Sequence, residues 1–165
     1  MNTKGSSEET KPDYVLALEK AYGPPSQEGF GGAVFFEVVE LEDDLEELAL
    51  KYYQYFVGEL WERWGEEVWM GSWKEVFARK SAAKHDIVKE LQGIEDGDAV
   101  VSVPLILEVS EIAEAAREAL SAAYDAPEVN ELRVYNTGDG EAMSGLLLAG
   151  LREKGEATFL TVLMD

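Results

Sequence analysis

Cysteine is absent from the 165 residues and histidine occurs once. The first absence excludes disulfides, a thiolate nucleophile and any zinc or iron–sulfur site built on cysteine. The second excludes a histidine-rich metal centre and every two-histidine motif. Cations are scarce: 14 Lys plus Arg stand against 34 Asp plus Glu, a formal charge of −20. A chain so negative repels phosphate backbones and anionic lipid, so neither a nucleic-acid nor a membrane role is expected. No apolar run reaches the 18 or so residues that a membrane-spanning helix needs. No Gly-Lys-Ser/Thr ending marks a P-loop, no GxGxxG opens a helix after a strand, and no GxSxG elbow is present. No cofactor is expected.

What is present is enough for a core. Hydrophobic residues make up 46% of the chain and aromatic residues 10%, and about 150 residues bury roughly 68 to 70% of the surface their unfolded chain exposes. Residues 1–11 are polar, lack periodic apolar positions and lack the apolar stretch of a secretory signal. They are expected to form a mobile tail ahead of a single domain over 12–165. Tyr14, Val15, Leu18, Ala21 and Tyr22 recur at helical spacing before Gly23-Pro24-Pro25. Gly32 to Leu41 is rich in β-branched and aromatic residues and reads as a first strand. Asp43 and Asp44 open a long principal helix that runs to Gly65, with Tyr53, Phe56, Trp61 and Trp64 among its apolar stripe. Glu47, Lys51, Gln54, Gly58 and Glu62 fill its open side.

Two short helices are expected next, Ser72 to Arg79 and Ser81 to Gly93, with the two serines as caps. Ala99 to Val109 reads as a strand apolar on both faces, and Ser110 with Glu111 starts a helix that Pro127 ends. Leu132 to Asn136, Ala142 to Arg152 and Ala157 to Met164 read as a three-stranded meander joined by glycine-bearing turns. The fold class is therefore α+β: a mixed or antiparallel sheet of about five strands, ending in that meander, with about four helices packed on it.

Candidate chemistry is thin. His85-Asp86 are adjacent and do not face each other on a helix; Ser81 or Lys89, four residues away, is the natural neighbour. A Ser81/His85 nucleophile pair would need a distant carboxylate to orient the ring. Asn136 to Glu141 fails the register of an EF-hand loop, and its glycines suit a hairpin turn. Among many carboxylates, Glu37 and Glu108 have the apolar flanks that a pKa-raised catalytic acid needs. Each is as well explained by a solvated strand edge. No catalytic residue and no metal ligand are assigned.

Trp61, Trp64, Trp69 and Trp73 crowd into thirteen residues. Helical periodicity assigns the first two to the core, and the neighbouring glutamates exclude base stacking, which needs cations. The expected function is a non-catalytic interaction domain of adaptor, inhibitor or immunity type. Its acidic face (Asp44, Glu47, Glu62) and the exposed part of the Trp segment (Trp64, Trp69, Trp73) would meet a basic protein surface. The alternative is a small-molecule-binding domain or small enzyme with a pocket beside the Trp segment. A soluble, cytoplasmic protein is expected, its oligomeric state open to a homo-oligomer.

Overall fold

In the computed structural model, which describes residues 11–40, 43–79, 84–108 and 112–164, helix α1 spans Asp13–Tyr22 and stops at Gly23. A β-carbon at Gly23 would lie 2.4 Å from the Gly32 carbonyl oxygen, and the residue has φ 128°, so glycine alone lets the chain turn here into strand β1, Gly31–Val38. Of the expected tail only Lys11 falls among the described residues; its ammonium pairs with Glu19 of α1 at 2.7 Å.

The expected principal helix is two helices. Asp44 caps α2, Leu45–Val57, by accepting hydrogen bonds from the backbone N–H groups of Glu46 and Glu47. At Gly58 (φ 66°, ψ −133°) the axis breaks and α3, Glu59–Trp64, begins. Gly58 is no open-side residue of a continuous helix: the Gln27 carbonyl oxygen lies 2.8 Å from where its β-carbon would be, so only glycine admits that loop. After Gly65, α4 takes Glu66–Met70.

The expected helix over Ser72 to Arg79 is instead edge strand β2, Lys74–Ala78, so Ser72 caps nothing. A register shift between Glu75 and Phe77 inserts a bulge that puts Val76 and Phe77 on the same core. The bulge suppresses strict alternation and leaves a spacing of Trp73, Val76 and Phe77 that imitates a helix. Helix α5 covers only Ile87–Gln92, capped by Asp86; Ser81 lies outside the described residues. The expected strand over Ala99 to Val109 is replaced by helical turns α6, Gly97–Val100, and α7, Val103–Leu107. Asp96 caps α6 through the N–H groups of Asp98 and Ala99, and Pro104 sits in the first turn of α7, where its missing N–H costs nothing. Ala99, Val103, Ile106 and Leu107 are buried while Val100 and Val101 are exposed, which is helical periodicity. Helix α8 is Ala113–Tyr124; the expected start at Ser110 lies outside the described residues.

The meander stands as expected: β3 Val129–Gly138, β4 Ser144–Arg152 and β5 Glu156–Met164. The sheet order is β1-β5-β4-β3-β2, every neighbouring pair antiparallel. Its strands carry apolar residues on both faces and feed two cores. Val34, Leu146, Leu148, Leu160 and Val162 point to one, with α1 and α5 to α8. Phe35, Leu147, Ala149, Phe159 and Leu163 point to the other, with α2 to α4. Helices thus cover both faces, and the class is α+β. No helix among the described residues is long and apolar enough to cross a membrane.

Candidate functional site

The layer formed by α2, α3 and α4 carries a broad concavity. Helix α2 buries Leu45, Ala49, Tyr53, Phe56 and Val57 on the sheet. Tyr53 fixes its depth: the phenol donates to the Trp69 carbonyl (2.8 Å) and accepts from the Gly138 N–H (3.0 Å). Glu47, Leu50, Lys51, Gln54 and Tyr55 then face outward at three- and four-residue intervals, and the breaks at Gly58 and Gly65 bring α3 and α4 back alongside. Between them lies a groove of about 820 Å³, its far side lined by Glu59, Trp61, Glu62, Glu66 and Met70. From Glu47 to Gly58 the α2 wall runs about 16 Å at 1.5 Å per residue.

Four carboxylates and one ammonium line this groove. The ammonium is already engaged: Lys51 Nζ lies 2.7 Å from Glu37 Oε1 and 4.6 Å above the Tyr52 ring. Arg63 reaches Glu59 at 3.5 Å with both side chains largely exposed, a geometry worth little in water. Among the described residues no cation lies within ion-pair distance of Glu47, Glu62 or Glu66. The lining is therefore an apolar floor of Leu50, Tyr55, Trp61 and Met70 under unneutralised carboxylates.

The residues expected to bind divide accordingly. Glu47 and Glu62 line the groove, and Asp44 stands exposed one turn before Glu47 with its carboxylate committed to the α2 cap. Trp64 is 41% exposed and stacks on Trp69 with centroids 5.2 Å apart and planes 3° from parallel. Trp69 is wholly buried, its indole N–H on the Leu60 carbonyl at 2.9 Å, so it supports the surface from beneath. Trp73 is half-buried between Tyr53 and Tyr135, its N–H on Glu46. Tyr55, Glu59, Glu66 and Met70 went unmarked in the sequence. Tyr55 carried the available signal, an aromatic side chain on the polar side of an amphipathic helix.

The other candidates are structurally committed. His85 Nδ1 lies 3.1 Å from the Ala126 carbonyl, and Asp86 caps α5, so the two form no dyad. Burial of Glu37 opposes its ionisation, but hydrogen bonds from Lys51 and Tyr52 outweigh that and hold the carboxyl below its ordinary range. This is opposite to a raised catalytic acid. Glu108 is an exposed residue at the end of α7. Asp139 turns its carboxylate back on the Glu141 and Met143 N–H groups at 2.8 and 2.9 Å, closing its own turn. Among the described residues no group of three or more metal-ligating side chains converges. Comparison with protein-family models, with curated proteins and with solved structures finds no match to this chain.

Proposed function

We propose that the chain is a non-catalytic interaction domain, of adaptor, inhibitor or immunity type, that binds a basic protein surface through the groove between α2 and α3–α4. The observation that carries this reading is the lining itself: Leu50, Tyr55, Trp61 and Met70 walled by Glu47, Glu59, Glu62 and Glu66, four carboxylates against the single ammonium of Lys51, which is paired with Glu37. An apolar floor supplies desolvated contact, and like-charged walls select a cationic partner. The −20 charge adds long-range attraction that raises the association rate. A small-molecule site is the second reading, since the volume lies within the usual pocket range. Four glutamates around the floor favour a cationic occupant over a neutral one. The proposal places the protein in the cytoplasm, which the cysteine-free composition supports.

The test is surface plasmon resonance against an immobilised peptide mixing lysine, arginine and leucine, at about 50 to 300 mM salt, where the screening length falls from above 10 Å to below 8 Å. Reversing Glu47 and Glu62 to lysine is expected to slow association and flatten its salt dependence. Reversing Glu114 and Glu118, exposed on α8 across the sheet, changes net charge equally and is expected to act far less. Equal effects from the two pairs would reduce the acidity to a general solubility device.

A further inference from the structure

Resting on the basic-partner reading, we infer that the occupant of this groove is an arginine-bearing segment, with a guanidinium seated on the exposed Tyr55 ring and guanidinium donors forked toward Glu59, Glu62 and Glu66. Three observations select arginine over lysine. Tyr55 is 48% exposed on a helix face otherwise carrying Glu47, Leu50, Lys51 and Gln54, held edge-on against Phe35 at 5.8 Å, and it gives the groove an exposed aromatic ring. A guanidinium is weakly hydrated and stacks on such rings, whereas an ammonium entering the same groove must shed a tightly held water shell. Second, the wall beyond Gly58 presents carboxylates at Glu59, Glu62 and Glu66, three and four residues apart, which suits the five-donor fork of arginine better than a point charge.

The third observation is that the molecule already uses this chemistry on its opposite face. There the Arg152 guanidinium lies 3.7 Å over the Tyr14 ring, and the Tyr14 phenol donates to Glu156 at 2.7 Å. The groove offers the same partners, the Tyr55 ring and glutamates; Arg63 reaches Glu59 at 3.5 Å, and among the described residues no guanidinium lies over that ring. Its wall of about 16 Å accepts about five residues of extended chain at roughly 3.3 Å each, enough for two or three alternating side chains directed at the floor.

The experiment is isothermal titration of the intact protein with three capped peptides of about six residues, alternating serine with arginine, with lysine or with citrulline. At about 150 mM salt the arginine peptide is expected to bind at least about tenfold more tightly than the lysine peptide, and the citrulline peptide not measurably. Glu62→Gln with Glu66→Gln should weaken arginine binding by about tenfold or more. Tyr55→Ser should bring the arginine-to-lysine ratio toward one, with circular dichroism unchanged in each variant. Equal binding of the arginine and lysine peptides, still sensitive to Glu62 and Glu66, would overturn the arginine inference and leave the basic-partner reading standing. Binding of neither peptide, or equal loss on Glu114→Gln with Glu118→Gln, would overturn both.

Discussion

Replacing Trp69 by alanine separates a supporting role from a contact role in the tryptophan cluster. The side chain is wholly buried, stacks at 5.2 Å on Trp64 and donates its indole N–H to the Leu60 carbonyl. Truncating a buried tryptophan costs about 3 to 5 kcal/mol through lost transfer energy and the cavity left behind. The stacked pair, about 0.5 to 1.5 kcal/mol, and the orphaned carbonyl put Trp69→Ala toward the upper end. For a chain of this size each kcal/mol lowers the melting temperature by about 2 to 4 °C, so a fall of about 8 to 20 °C is expected. Trp69→Phe keeps most of the ring and loses the hydrogen bond, at about 1 to 2 kcal/mol. Trp64→Ala, at a half-open position, should fall in a similar range of about 1 to 2 kcal/mol. Urea melts followed by circular dichroism read all three. The reasoning fails if Trp69→Ala lies within about 1 kcal/mol of wild type, or if Trp69→Phe abolishes binding of a basic peptide while stability is kept.

Phe56→Ala, at a wholly buried position, is expected to cost about 3 to 5 kcal/mol in the same melts. Lys51→Ala should cost less than about 1 kcal/mol, because its pair with Glu37 is solvent-exposed. Arg79→Leu should cost about 3 to 5 kcal/mol, since a nearly buried guanidinium pairs bidentately with Glu90 and also reaches Asp125 and the Tyr124 carbonyl. Burial pushes the phenols of Tyr14 and Tyr135 up to about 12 and raises Tyr22, Tyr52, Tyr53 and Tyr124 as well. A raised phenol stabilises the fold fully below the unfolded value of 10.0 and loses that contribution as the pH climbs through about 12. Absorbance at about 295 nm should therefore show tyrosine ionisation coinciding with alkaline unfolding; free titration of most phenols near pH 10 with native circular dichroism would contradict the assigned burial.

The elements legible in the sequence were those whose pattern and environment agree. β4 and β5 carry apolar residues on both faces because helices cover both, and Leu146-Leu147-Leu148 supplies both cores. Ala99 to Val109 has the same apolar density, yet Asp96 and Pro104 direct it into helical turns; a short apolar run does not by itself distinguish a strand from a buried helix. At β2 a bulge erased the alternation that marks a strand. Periodicity alone sets Gly58 on an open helix face, because it carries no information on the Gln27 backbone that packs there. That same break folds α3 beside α2, so the groove is only half visible in the sequence: Glu47 and Glu62 are legible from charge and Tyr55 from its place on a polar helix face, whereas Glu66 and Met70 become lining residues through the turns at Gly58 and Gly65.

The most direct test of the account is where a basic peptide perturbs the amide spectrum of the isotope-labelled protein during an NMR titration. The largest shifts are expected within residues 47–70, at Glu47, Tyr55, Glu62 and Glu66 above all, with α8 nearly silent although Glu114 and Glu118 are also exposed. Shifts spread evenly over every exposed glutamate, or centred on α8, would contradict a partner-binding groove between α2 and α3–α4.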